Sequence, residues 1–264
     1  MNQLPKKAVI LARGLGTRMR ESANGVDLTE TQQSIAEAGI KALIPIGGSK
    51  TMLELILENL ASAGFSKVCL VIGPEHESIR EFCLSKGLAV EFAVQREAKG
   101  TADAVLAAEG SVGDELFLVV NSDNLYPVDG LRRLREANRP AMLAFDRDAL
   151  IENSNIGAER IAKFATVEID ANGDLLHIHE KPEAINAASF VSMNAWLLPT
   201  EIFQACRAIE PSIRDEYELT AAVQYAIDEL WIEFAALETF ESVIDLSNQA
   251  DIQTAARILN AGHH

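Results

Sequence analysis

Apolar residues come in short runs separated by amphipathic stretches. Runs at 8–12, 67–72, 89–94, 116–120 and 141–145 are too short for helices and read as buried strands. Between them, residues 51–63 place Leu53, Ile56, Leu57 and Leu60 on one face, and Gly64 follows as a stop. Residues 76–85, 101–109 and 129–138 repeat the helical spacing. Strand alternating with helix implies βαβ units and a mostly parallel sheet flanked by helices. Functional residues then gather at the carboxyl ends of the strands.

The second half changes character. Segments 161–169 and 175–180 flank Ala171-Asn172-Gly173-Asp174, a hairpin signal. A further strand is expected over 189–197, helices over 199–209 and 218–230, a strand over 232–237 and a last helix near 249–259. No repeat, low-complexity tract or linker interrupts the pattern, so residues 1–264 are expected to form one domain.

The most informative stretch is the first strand and its exit, Ala8-Val9-Ile10-Leu11-Ala12-Arg13-Gly14-Leu15-Gly16-Thr17-Arg18-Met19-Arg20. An apolar run ends, past Arg13, in two glycines, a threonine and two further arginines. Glycine lets the backbone turn sharply and approach a ligand, and arginine sets fixed charge beside exposed N–H groups. Such a bend at the mouth of an α/β sheet suits a polyphosphate. The dinucleotide fingerprint needs a third glycine where Met19 stands. Gly47-Gly48-Ser49-Lys50-Thr51 lacks the spacing of a Walker A loop and reads as a turn with a helix cap.

Charge narrows the partners. Lys and Arg number 23 against 39 Asp and Glu, a net charge of −16, so no basic surface is ready for nucleic acid or an anionic membrane. No run approaches the roughly 18 apolar residues that a membrane span needs, and no signal peptide opens the chain. Cys69, Cys83 and Cys206 lack metal-ligand spacing and read as small buried hydrophobes in a reducing, cytoplasmic setting.

Four charged residues stand where chemistry is expected. Asp123, in Asn121-Ser122-Asp123-Asn124, follows a buried strand and is placed either to hold a divalent cation or to form a turn. Asp245, in Val243-Ile244-Asp245-Leu246, is either a second metal carboxylate or a helix cap. Lys41 and Lys181 each adjoin a rigid or apolar segment and are either phosphate ligands or solvated charges. His177 and His179 share a strand face without an evident third ligand, the pattern of an exposed surface rather than a metal site.

These segments, in order, resemble the sugar-1-phosphate nucleotidylyltransferases. The resemblance rests on Gly14-Leu15-Gly16-Thr17-Arg18 with Lys41 downstream, Gln95 with Gly100-Thr101, Ser122-Asp123-Asn124, Glu180-Lys181-Pro182, Asp245, and Glu216-Tyr217-Glu218-Leu219-Thr220. It implies a Rossmann-like nucleotidyltransferase fold with a nucleotide-binding half over 1–150 and a sugar-phosphate half over 151–264. It implies transfer of a nucleotidyl group from an NTP to a sugar or cyclitol 1-phosphate, with Mg²⁺, and release of pyrophosphate. Leu11, Ala12, Arg13, Gly14, Gly16, Thr17, Gln95, Gly100 and Thr101 would bind the nucleotide. Arg18, Lys41, Asp123 and Lys181 would act on the phosphates. Asn124, Ala165, Glu180, Lys181 and Asn194 would meet the sugar phosphate, and Asp123 and Asp245 the metal. A homodimer is compatible with this reading.

Departures from the family set this chain apart. Arg13 and Ala165 stand where small residues or glycine are usual, and Ala42 follows Lys41 where proline is usual. A long polar stretch, 21–39, suggests a lid or a short helix over the site. In these departures the chain resembles family members that take cyclitol phosphates such as valienol 1-phosphate with GTP, and the resemblance implies guanylyl or adenylyl transfer to a cyclitol acceptor. A non-sugar phosphate acceptor, or a silent nucleotide-sensing subunit on the same fold, are the alternatives. Retention of both aspartates and both lysines speaks against the silent form.

Overall fold

In the strand Lys7–Leu11, Ala8 and Ile10 join one buried cluster and Val9 and Leu11 another, so both faces of the sheet are covered. The computed structural model describes residues 4–21, 25–180 and 190–261. Its strands are β1 (Lys7–Leu11), β2 (Pro45–Gly47), β3 (Lys50–Thr51), β4 (Lys67–Ile72), β5 (Val90–Val94), β6 (Phe117–Asn121), β7 (Asn124–Leu125), β8 (Ala141–Asp146), β9 (Thr166–Ile169), β10 (Leu175–His179), β11 (Phe190–Leu198), β12 (Ala235–Thr239) and β13 (Ile244–Asp245). The main sheet runs β10-β9-β11-β6-β1-β4-β5, with β8 pairing β11 and β12. β1 is parallel to β4 and β6, and β4 to β5. β11 runs against β6, β8 and β9, and β10 against β9, so the remaining strands share one direction.

The helices Met52–Ser62, Glu77–Ser85, Val128–Ala137 and Gln249–Ala261 cover one face. Thr101–Ala107, Ile202–Ala208 and Leu219–Asp228 cover the other. Gly48 and Ser49 form the β2–β3 turn, and Thr51 caps the next helix. Its hydroxyl accepts from Glu54 N at 3.3 Å while Glu54 Oε2 accepts from Thr51 N at 2.9 Å. The three cysteines are buried and free.

Two expected strands move. Over 161–169 the chain first forms the helical turn Ala158–Ile161, whose buried Ile161 mimics a strand residue, and β9 starts at Thr166. Over 232–237 no partner is met until Ala235 pairs with Ala141, so β12 shifts to Ala235–Thr239. The polar stretch 21–39 contains the helix Glu30–Ala38, opened by a Thr29–Gln32 capping box and closed by Gly39. Ser189 and His263-His264 lie outside the described residues.

Candidate active site

The strand order sets out the rim. The exits of β5, β4, β1 and β6 lie side by side, carrying Gln95, Gly73–His76, Ala12–Gly14 and Asn121–Asp123 in turn. Between them opens a cavity of about 260 Å³. Leu11, Ala12, Arg13, Gly14, Lys41, Gln95, Gly100, Thr101 and Asp123, all singled out from the sequence, line it. Gly16, Thr17 and Arg18 follow on the next turn of chain, Thr17–Arg20. Gly16 has φ 61°, and a Cβ there would stand 2.3 Å from Gly39 O, so only glycine lets the bend seat against the end of the helix Glu30–Ala38. Lys41 then enters the cavity two residues beyond Gly39.

At the β1–β6 end, Lys41 Nζ lies 2.9 Å from Asp123 Oδ2. Burial, the largest single influence, would depress the Lys41 ammonium, but the charge and hydrogen bond of Asp123 together with the Asp245 charge hold the group above its ordinary value, with Arg18 opposing them. Asp245 arrives through a two-residue ladder, β7 against β13, that pairs it with Asn124 while Leu246 N donates to Asp123 O at 2.9 Å. The two carboxylates, far apart in sequence, thus share one corner. Asn124 Nδ2 donates to Asp245 Oδ2 at 2.8 Å, and Arg160 Nη2 to Asp245 Oδ1 at 2.5 Å. Asn155 clamps the Asp245 backbone, donating to its O at 2.6 Å and accepting from its N at 2.9 Å.

Burial pushes the Asp245 carboxyl up to about 6; the Asp123 charge adds to this and the Arg160 charge opposes it. Between its ordinary 3.8 and about 6, the folded chain holds this proton more tightly than the unfolded chain. Its contribution to stability therefore falls as pH rises through that window and recovers as pH drops. In paired thermal melts, the wild type is expected to gain on Asp245→Asn as pH is lowered from about 7 to about 4.5. Parallel melting curves for the two proteins would contradict the assignment.

The remaining predicted residues are placed as follows. Gln95 is buried, and its amide donates to Gly100 O at 3.0 Å and Asp103 Oδ2 at 2.8 Å. Thr101 Oγ1 accepts from Leu219 N at 2.8 Å, tying the Glu216–Thr220 segment to the cavity wall. Asn194 has φ 57° in an irregular stretch of β11. Its Oδ1 accepts from Trp196 Nε1 at 3.2 Å, and Tyr126 OH, which donates to Met193 O at 2.5 Å, links this bend to Asn124. Ala165 is buried just before β9. Glu180 accepts from Thr220 Oγ1 at 2.6 Å and lines a second cavity with Glu218 and Gln224 rather than the first. Lys181 lies outside the described residues. His177 and His179 are exposed, and among the described residues no group of three or more potential metal-binding side chains forms.

Sequence reasoning missed Arg160, Asn155 and His76. Arg160 grips both Asp245 and Asp251, contacting the latter at 2.9 and 3.0 Å, and so joins the acidic corner to the start of the last helix. His76 sits on the cavity wall with Nδ1 accepting from Gly73 N at 3.3 Å. Burial lowers its pKa, Glu75 opposes, and Arg13 and Arg20 add to the lowering, so it is neutral near pH 7. None of the three carried a local signal; each acts across the tertiary fold.

An α/β sheet with a cavity at its carboxyl rim, a glycine bend and a lysine-paired acidic corner defines a nucleotide-binding class of protein. The chain belongs to the Nucleotidyl transferase family, whose model matches residues 7–240. It is 29% identical over 227 residues to the UTP–glucose-1-phosphate uridylyltransferase AglF of Haloferax volcanii, covering 84% of this chain and 83% of that protein. It is 31% identical over 228 residues to a glucose-1-phosphate thymidylyltransferase of Streptomyces antibioticus, covering 84% of this chain and 57% of that one. The fold matches a crystal structure of UDP-glucose pyrophosphorylase complexed with UDP-glucose, with TM-score 0.74 at 17% identity, over 98% of this chain and 99% of the other. The fold is thus a Rossmann-like nucleotidyltransferase fold. Among the described residues no helix is long and apolar enough to cross a membrane.

Proposed function

We propose that the chain transfers a nucleotidyl group from an NTP to a sugar or cyclitol 1-phosphate. The observation that carries this reading is the Lys41–Asp123 pair at 2.9 Å, on the wall of the cavity framed by Leu11–Gly14, with Asp245 drawn to the same corner. A phosphate oxygen of the acceptor attacks the α-phosphorus, the α–β bridging P–O bond breaks, and pyrophosphate departs with that oxygen. The nucleophile is already an anion near neutral pH, so the chain needs no general base. Positioning and charge neutralisation are what remain to be supplied.

Lys41 and the exposed Arg18 supply positive charge where the triphosphate would lie; Arg18 has no ion pair among the described residues. Gly14 to Gly16 present backbone at that position, and Gln95 and Gly100 border the base end. Two neighbouring carboxylates offer hard oxygen donors that suit a Mg²⁺ ion taking its other ligands from water and phosphate. Asp123 and Asp245 would hold it, and when bound it would polarise the phosphoryl group.

The relatives named for glucose 1-phosphate support a sugar 1-phosphate acceptor. Guanylyl or adenylyl transfer to a cyclitol 1-phosphate is the finer form of the reading, motivated by Arg13 and Ala165, two of the departures from the family pattern. The test is pyrophosphate release in a matrix of NTPs against phosphate acceptors with Mg²⁺. Turnover of at least one sugar or cyclitol 1-phosphate is expected. Turnover only with a non-sugar phosphate, or none by the folded protein, overturns the proposal.

A further inference from the structure

The acidic corner meets as many positive charges as negative ones. Asp123 carries Lys41, whose Nζ lies 2.9 Å from Oδ2. Both Asp245 oxygens are engaged: Asn124 Nδ2 donates to Oδ2 at 2.8 Å, and Arg160 Nη2 to Oδ1 at 2.5 Å. Arg160 Nη1 also donates to Asp251 Oδ1 at 3.0 Å and to its Oδ2 at 2.9 Å. Arg18 is a further charge felt at Lys41. Asp123, Asp245 and Asp251 therefore face Lys41, Arg18 and Arg160, and the charges cancel.

Arg160 is the member of this set with no evident structural excuse. Its side chain is 20% exposed, against 13% for Asp245 and 8% for Asp251. Its Nε is shut off from solvent and meets no acceptor among the described residues. Such a group is a poor device for stability. Desolvating the ions offsets much of their attraction, and an apolar filling of the same volume is often the more stable. The unpaired donor adds to the cost. Asp251 can hold the start of the last helix without the arginine, because its Oδ2 already accepts from Ser247 N at 2.8 Å and Asn248 N at 2.9 Å. The Asp245 backbone is likewise fixed without it, by the Asn155 side chain. What Arg160 alone brings to Asp245 is a positive charge on the carboxylate.

We infer that Arg160 is a positioning residue that guards Asp245 against a bare divalent cation, so that the corner takes a cation only together with a triphosphate. The inference rests on the nucleotidyl-transfer reading above and adds to it how the cation is admitted. A bare cation meets a corner with no net charge to attract it and competes with a charged donor for Asp245 Oδ1. A triphosphate brings several negative charges to the Lys41 and Arg18 side, and the sum then favours a cation. Arg160 itself touches no substrate.

The test is Mn²⁺ binding without nucleotide, read by electron paramagnetic resonance at about pH 7.5, where Asp245, with its carboxyl pushed up to about 6, is ionised. Wild type, Arg160→Gln, Arg160→Met and Arg160→Lys are compared, each with a thermal melt. Gln keeps N–H donors and loses the charge, Met loses both, and Lys keeps the charge. The wild type is expected to bind in the millimolar range. Arg160→Gln and Arg160→Met should each bind about tenfold tighter, the scale on which a unit charge at close range acts on a divalent ion even in water. Arg160→Lys should stay with the wild type, and adding Asp245→Asn to Arg160→Gln should abolish the gain. Damage to the fold weakens a site, so a gain separates this role from a structural one. The inference is overturned if the charge-removing variants bind no tighter than the wild type, or if Arg160→Lys tightens as Arg160→Gln does. A wild type that already binds bare Mn²⁺ at micromolar concentration overturns it too. Calorimetry of NTP binding to the wild type with Mg²⁺ keeps the two readings apart. Nucleotide binding beside any of those results overturns the inference alone; no nucleotide binding by the folded protein overturns the nucleotidyl-transfer reading together with it.

Discussion

Replacing Asp123 by asparagine is expected to cut kcat/KM by about a thousandfold and to leave the fold intact. The fold should survive because Asp123 holds the corner mainly through its backbone, with Leu246 N donating to its carbonyl. The neighbouring Asn124–Asp245 bond and the Asn155 clamp do not involve its side chain. An asparagine oxygen can still accept from Lys41 Nζ. What disappears is the negative charge. A bound divalent cation contributes several kcal/mol to phosphoryl transfer, and ~4 kcal/mol corresponds to about three decades in rate. Steady-state kinetics beside a thermal melt decide the matter. Full activity in Asp123→Asn removes the cation role; a collapsed melt would make the residue structural instead.

How far this corner could be read in the sequence depended on the range of each signal. The bend after the first strand was legible because its cause is local: an apolar run, two glycines and an arginine within one short segment. Asp123 was legible for the same reason, since it sits just past a buried run whose end could be located. Asp245 was readable only as one of two options, because β7 and β13 are two residues each and leave no periodicity. Its partner Arg160 carried no signal at all. The segment around it read as the start of a strand, since a buried Ile161 on a short helical turn looks the same as one on a strand. Glu180 illustrates the reverse: its motif was plain, yet its carboxylate accepts from Thr220 beside a second cavity. The chain's direction there is set by the β9–β10 hairpin and by the helix Leu219–Asp228 packed on it, which no local pattern reports.

A methyl group at position 100 should damage both the fold and the nucleotide pocket. Gly100 has φ 108° and ψ 179°, a backbone region that L side chains scarcely enter, at a cost of order 1–3 kcal/mol. Its added Cβ would also stand 2.5 Å from Tyr217 O and 2.7 Å from Tyr217 N, both backbone atoms that cannot swing aside. Those atoms are the stitching itself: Tyr217 N donates to Lys99 O at 2.7 Å, and Ala102 N donates to Tyr217 O at 2.8 Å. Forcing them apart also disturbs the Leu219 N bond to Thr101 Oγ1 and the Gln95 bond to Gly100 O. With about 3 kcal/mol lost, a domain of this size should melt roughly 6–12 °C lower. KM for the NTP should rise, because Gln95, Gly100 and Thr101 all line the cavity. Gly14→Ala is the matched control: its φ is not positive and its Cβ would meet nothing within 4 Å, so its melting temperature should stay at the wild-type value. Equal stability of the two variants would mean that the 99–102 and 216–219 segments are not locked together as the geometry requires.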